Sequence, residues 1–144
     1  MPEPQNYKNH AQFFPLFHFV LVPILLFNLI WQVVRLFQEP SWDRGEFVLL
    51  SLGFIILAVA SRLQSLKVQD RVIRLEEKLR YKEVLPADLV ERAIQLPIDK
   101  IIALRFASDE ELPELVRKHL EGDLKTSKEI KMAVRNWRGD YLRA

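Results

Sequence analysis

The chain contains no cysteine, which removes disulfides, thiolate metal sites, iron–sulfur clusters and cysteine nucleophiles together. Gly45, Gly53, Gly122 and Gly139 stand alone, so no glycine-rich loop can cradle a phosphate. A HExxH pair, a paired-histidine metal spacing and a serine nucleophile elbow are also missing. Charge is scarce at one end: Glu3, Lys8, Arg35, Glu39, Asp43, Arg44 and Glu46 are the only charged side chains before Arg62. The net charge of +2 is too small to argue for nucleic acid by itself. The pattern therefore predicts no enzyme, no cofactor and no metal.

What fills the charge-poor third is apolar. One run extends from Leu16 to Val34 and a second from Phe47 to Ala60, flanked by Gly45, Glu46, Ser61, Arg62 and Leu63. About 20 residues of helix cross a hydrocarbon core about 30 Å thick, and both runs meet or approach that length. The mean hydropathy of −0.02 hides this, because it averages a greasy first third with a charged remainder. The first run is longer than the apolar core of a signal peptide and is followed by no small-x-small cleavage site, so it reads as a retained anchor. Pro15 suits a helix start and Pro23 should kink the first span. Glu39 to Gly45 reads as the intervening turn.

The Lys/Arg bias sets the expected orientation. Arg35 and Arg44 flank the short loop, whereas Arg62, Lys67, Arg71, Arg74, Lys78, Arg80 and Lys82 follow the second span. That places the C-terminal region in the cytoplasm and, after two spans, the N-terminus beside it. Ser51, Gly53, Ala58 and Ala60 are small enough to let another helix approach the second span closely. Of the polar residues in the first span, Asn28 suits an interhelical hydrogen bond, and His18 sits near enough to the end to rest among headgroups.

No glycine or proline occurs between Gly53 and Pro86, and the residues there are good helix formers. The second span should continue as one helix to about Val84. Val68, Val72, Leu75 and Leu79 are spaced 4, 3, 4, an a/d seam expected to pack against the C-terminal domain or a second copy. Arg62, Lys67, Arg71 and Arg74 mark a basic face for anionic lipid, the alternative being a solvated face with pairs such as Glu76–Arg80.

Beyond Pro86, breakers and caps predict short helices: Pro86 to about Gln95, Pro97 to Phe106, one from a Ser108–Glu111 capping box to Gly122, and one from a Thr126–Glu129 capping box to near Gly139. The acidic cluster Asp109, Glu110, Glu111 and Glu114 is explained by the helix dipole. His119 reads as a surface spectator. Lys128, Lys131 and Arg135 fall at i, i+3, i+7, a basic face open to a partner. The expected fold is all-α: residues 1–14 a cytoplasmic N-terminal segment, 15–63 a transmembrane hairpin (about 15–37 and 45–63), 64–84 a juxtamembrane helical stem, and 85–144 a small bundle of short helices.

Several segments resemble one known family. They are Asn6-Tyr7-Lys8-Asn9-His10, Pro15-Leu16-Phe17-His18-Phe19, Lys67-Val68-Gln69-Asp70-Arg71, Leu104-Arg105-Phe106-Ala107-Ser108-Asp109-Glu110-Glu111 and Asn136-Trp137-Arg138. Together they resemble a family of small, uncharacterised bacterial membrane proteins, a domain of unknown function. The resemblance implies a bacterial inner-membrane protein with two spans and a cytoplasmic helical tail, and brings no activity with it. The expected role is a membrane-anchored, non-enzymatic scaffold or accessory subunit whose cytoplasmic domain binds a protein partner or a second copy. Two other readings stay open. One is nucleic-acid binding by the basic last helix with Trp137, the less favoured partner; the other is a cofactor-carrying membrane subunit using His18 or His10.

Overall fold

In a computed structural model, residues 5–7, 9 and 14–140 are described; Lys8 and His10 lie outside them. The protein is all-helical. A wide π-helical turn, Leu16–Leu21, runs into α1 (Val22–Gln38), followed by α2 (Trp42–Val84), α3 (Ala87–Ile94), α4 (Ile98–Leu104), α5 (Leu112–Glu121) and α6 (Ser127–Ala133). The described residues form two compact units, one covering 14–66 and the other covering 5–7 and 9 together with 67–140.

In the first unit, the wide turn lies directly before Pro23. A proline ring clashes with the carbonyl four residues back and leaves it without a donor. Here the Val22 N–H reaches back five residues, to the Phe17 carbonyl, and the ladder has already widened before the ring arrives. Between α1 and α2 only Glu39, Pro40 and Ser41 are non-helical. The expected turn to Gly45 is thus too long. Ser41 caps α2, its Oγ accepting the Arg44 N–H at 3.3 Å, and Asp43 sits in the first turn where the dipole favours an acid. Glu39 pairs with both Arg35 and Arg44 at 3.1 Å. Deeper in the hairpin the Ser51 hydroxyl donates to Asn28 Oδ1 at 2.6 Å and lies 2.8 Å from the Phe47 carbonyl, the interhelical bond expected of Asn28.

Helix α2 runs unbroken through 43 residues to Val84, as the absence of breakers predicts. In the second unit its last turns share a core with the short helices. Ile73, Tyr81 and Leu85 join Leu89, Ala93, Ile101, Leu104, Leu112, Leu115, Val116 and Ile130. Prolines 86 and 97 occupy the caps of α3 and α4. Gly122 closes α5 at φ 92°, a left-handed conformation strained for any residue with a Cβ. The Thr126 capping box forms in full: Thr126 Oγ1 accepts the Glu129 N–H at 3.1 Å, and Glu129 accepts the Thr126 N–H at 3.0 Å.

Three expectations for this unit are corrected. Helix α4 stops at Leu104 because Arg105–Ala107 turn away to meet the C-terminal arm. The Ser108–Glu111 segment is a turn preceding α5, not its first turn: Glu111 accepts the Ser108 N–H, but the return bond from the Glu111 N–H to the Ser108 hydroxyl does not form. Helix α6 ends at Ala133, with Val134 already extended.

Candidate interaction site

Two irregular segments, Arg105–Glu111 and Val134–Asp140, meet over the end of α2. Ala107 and Trp137 form a single antiparallel bridge. The Ser108 N–H donates to the Asn136 carbonyl at 3.0 Å and the Arg138 N–H to the Phe106 carbonyl at 2.7 Å. Glu111 clasps both segments: Oε1 accepts from the N–H groups of Ser108 (3.3 Å) and Asn136 (3.1 Å), and Oε2 from Arg135 N–H (3.1 Å). An acid that composition assigns to the helix dipole thus replaces missing strand partners for three backbone donors. Phe106 is fully buried, its ring 5.0 Å from that of Trp137.

Beneath these segments lies Arg80, which is buried. Its guanidinium donates to the Ala107 carbonyl at 2.7 Å, the Arg105 carbonyl at 3.4 Å, Glu77 Oε2 at 3.2 Å and Asp109 Oδ1 at 2.7 Å. The buried partner is Glu77, three residues back on α2, and not the exposed Glu76. Burial pushes the Glu77 carboxyl above its ordinary range, while Arg80 and, at 3.6 Å, Arg138 pull it down. Arg105 reaches Asp140 at 3.1 Å. Gln5 in turn holds the Asp140 backbone from both sides, donating to its carbonyl at 3.0 Å and accepting its N–H at 2.9 Å. Gln5 is therefore tied to the C-terminal arm.

The Tyr81 hydroxyl, next to Arg80, is buried without a hydrogen-bond partner, and burial pushes its ionisation upward. An orphaned buried hydroxyl carries an uncompensated desolvation cost. Tyr81→Phe should therefore raise stability by roughly 1 kcal/mol, read as a higher urea midpoint for the detergent-solubilised chain. A lower midpoint would mean that the hydroxyl has a partner.

Above this network is an open groove of ≈ 640 Å³ lined by Gln5, Asn6, Ser108, Asp109, Glu110 and Arg135–Arg138. Three of the segments behind the family resemblance supply most of it: Asn6, Ser108–Glu110 and Asn136–Arg138. Sequence spacing pairs Arg80 with Glu76 on a solvated face and gives no sign of Glu77 or Gln5 as its neighbours in the network. A signal for the face carrying Glu77 and Arg80 was present: Ile73, Glu77, Arg80, Tyr81 and Val84 recur at helical spacing on a second side of α2.

The other candidate residues are placed as follows. Lys128 is exposed on α6 and Lys131 is half-buried with Nζ 5.7 Å from the Phe106 ring centre. Arg135 lies beyond α6, so the three cations do not form one helical face. Lys67, Arg71 and Arg74 stay on one side of α2, and Arg62 lines a groove within the hairpin with Phe14, Leu25, Phe54 and Ala58. Ser51 is buried against α1 and Ala58 and Ala60 are half-buried, but Gly53 is exposed with open space about its Cα. His18 Nδ1 faces the Phe14 carbonyl at 3.0 Å. His119 Nδ1 lies 2.6 Å from the Leu124 carbonyl, so it braces the end of α5 and is no bare surface side chain.

These features define an all-helical protein with two helices, Leu16–Gln38 and Trp42–Val84, long and apolar enough to cross a membrane. The chain belongs to a family of unknown function, DUF6526, which matches residues 1–144. No curated protein and no solved structure matches it.

Proposed function

We propose that this protein is a membrane-anchored, non-enzymatic scaffold or accessory subunit of the bacterial inner membrane. Its cytoplasmic unit engages a protein partner at the groove between Ser108–Glu110 and Arg135–Arg138. The observation that carries the anchor is the exposure of its apolar helices. In the most apolar windows of Leu16–Gln38 and Trp42–Val84, 0% and 6% of residues are buried. Apolar surface on that scale needs lipid or protein against it. The reciprocal Gln5–Asp140 bonds support two crossings, an even number being what would bring residues 5 and 140 to the same side. The Lys/Arg bias after the second span makes that side cytoplasmic. Arg62 and Lys67 are then the cations nearest the headgroups, with Arg71 and Arg74 following.

The test uses tagged full-length chain extracted from membranes in mild detergent. Wild type should bring down a co-purifying protein that the double variant Glu110→Lys/Arg135→Glu loses, since both side chains are exposed in the groove. Recovery of this chain alone from wild type would defeat the partner reading. Recovery in the soluble fraction would defeat the anchor.

A further inference from the structure

Helix α2 turns its less apolar face toward the domain and leaves its seam outside. Val68, Val72, Leu75 and Leu79 are 59%, 47%, 61% and 56% exposed, whereas Ile73, Glu77, Arg80 and Tyr81 on the other side are buried. We propose that a second copy of this chain covers the seam, the two α2 helices pairing in parallel as a short coiled coil over 68–79.

The charges beside the seam select this occupant and this direction. With Val72 and Leu79 at a, and Val68 and Leu75 at d, the g positions hold Gln64, Arg71 and Lys78 and the e positions hold Gln69, Glu76 and Glu83. In a parallel pair each g residue faces the e residue five positions on in the other helix. Arg71 then meets Glu76 of the second copy and Lys78 meets Glu83, so both charged contacts are between opposite charges, while Gln69 meets the neutral Gln64. An antiparallel pair would set g against g and e against e, cation on cation and acid on acid. A β-branched Val72 at a with Leu75 at d favours two strands. Ser65 and Lys82 end the seam at either side.

Two heptads are marginal for free peptides. The inference rests on the membrane anchor proposed above for its remaining support: helices leaving one bilayer face are already parallel, and confinement raises their effective concentration.

The absence of native cysteine allows single-cysteine crosslinking of the full-length chain in isolated membranes. Leu75→Cys should oxidise to a disulfide-linked dimer, and Lys67→Cys, outside the seam, should give roughly fivefold less or lower. In the Leu75→Cys background, Arg71→Glu should cut the yield by roughly fivefold, and adding Glu76→Arg should restore it. Equal yields at 75 and 67, no dimer at 75, or no rescue by the second reversal would overturn the pairing. Fractionation of the same sample separates the two readings. Failure to crosslink in a chain held by membranes sinks the dimer and spares the anchor, whereas a soluble chain sinks the anchor.

Discussion

Replacing Arg80 by methionine should lower the stability of the C-terminal unit by about 3–5 kcal/mol. Methionine matches much of the side chain's length and apolar stem, so lost packing contributes little. What goes is the buried cation, and three groups are left behind. Glu77 Oε2 loses its 3.2 Å partner, and the carboxylate is left with Arg138, mostly exposed and 3.6 Å from Oε1, and the weaker pull of Arg105. The carbonyls of Ala107 and Arg105 lose their donor as well. Asp109, whose side chain is 61% exposed, can return to water and adds little to the loss. An uncompensated buried charge is the costly element, so Glu77→Gln should be far milder. The Arg80→Met loss should also depend on pH. Without its main counter-charge the Glu77 carboxyl rises further above its usual value of 4.5. A carboxyl that is raised in the folded state binds its proton more tightly there. Its favourable contribution is therefore full below 4.5 and fades as pH climbs through the raised value. The deficit of Arg80→Met against wild type should then be greatest at neutral pH and shrink towards pH 4.5. Urea midpoints of full-length protein in detergent, at both pH values, decide this. A loss under 1 kcal/mol, or one that ignores pH, would show that Arg80 does not carry the network.

The sequence was most legible where a single local rule acts. The unbroken α2 follows from the lack of breakers before Pro86, and the closing turn of α5 from Gly122. The Thr126–Glu129 box announces α6 because both of its partners lie within one turn. The Ser108–Glu111 box has the same spacing and reads the same way, yet only its Glu111-to-Ser108 half forms, and Glu111 shares its carboxylate with Arg135 and Asn136, more than twenty residues on. Local spacing cannot register a competitor that arrives from the end of the chain. Likewise α6 stops at Ala133 because Trp137 is taken up by the bridge to Ala107, a contact that no helical periodicity encodes. The basic face of Lys128, Lys131 and Arg135 dissolves for the same reason.

The two sides of α2 show that the domain need not cover the stronger apolar stripe. The 4, 3, 4 seam is the stronger apolar signal, but the domain packs on the side carrying Ile73, Glu77, Arg80 and Tyr81. Burial of that side is favourable only because Glu77 and Arg80 satisfy each other and Arg80 also reaches Asp109 and two carbonyls. None of those partners beyond Glu77 is on the helix. An apolar stripe requires cover of any kind, and a polar face requires particular partners. Sequence spacing reveals the first need and conceals the second.

The second large effect is expected at Phe106. Phe106→Ala should destabilise the C-terminal unit by about 3–5 kcal/mol. The ring is fully buried and touches three chemically distinct neighbours: the Trp137 ring at 5.0 Å, the Arg105 guanidinium at 4.8 Å and Lys131 Nζ at 5.7 Å. Truncation opens a cavity beneath Trp137 and removes the π-face on which both cations rest. The backbone bond from Arg138 N–H to the Phe106 carbonyl survives the change, so the arm keeps its register while losing its main apolar contact. Phe106→Leu, which refills most of the space but offers no π-face, should recover more than half of the loss if the cavity dominates. Tryptophan emission reports directly: with Trp31→Phe and Trp42→Phe in the background, Trp137 should shift to the red in Phe106→Ala as water reaches its ring. An unshifted spectrum together with an unchanged urea midpoint would mean that the arm is held by its hydrogen bonds and ion pairs, with the aromatic pair contributing nothing measurable.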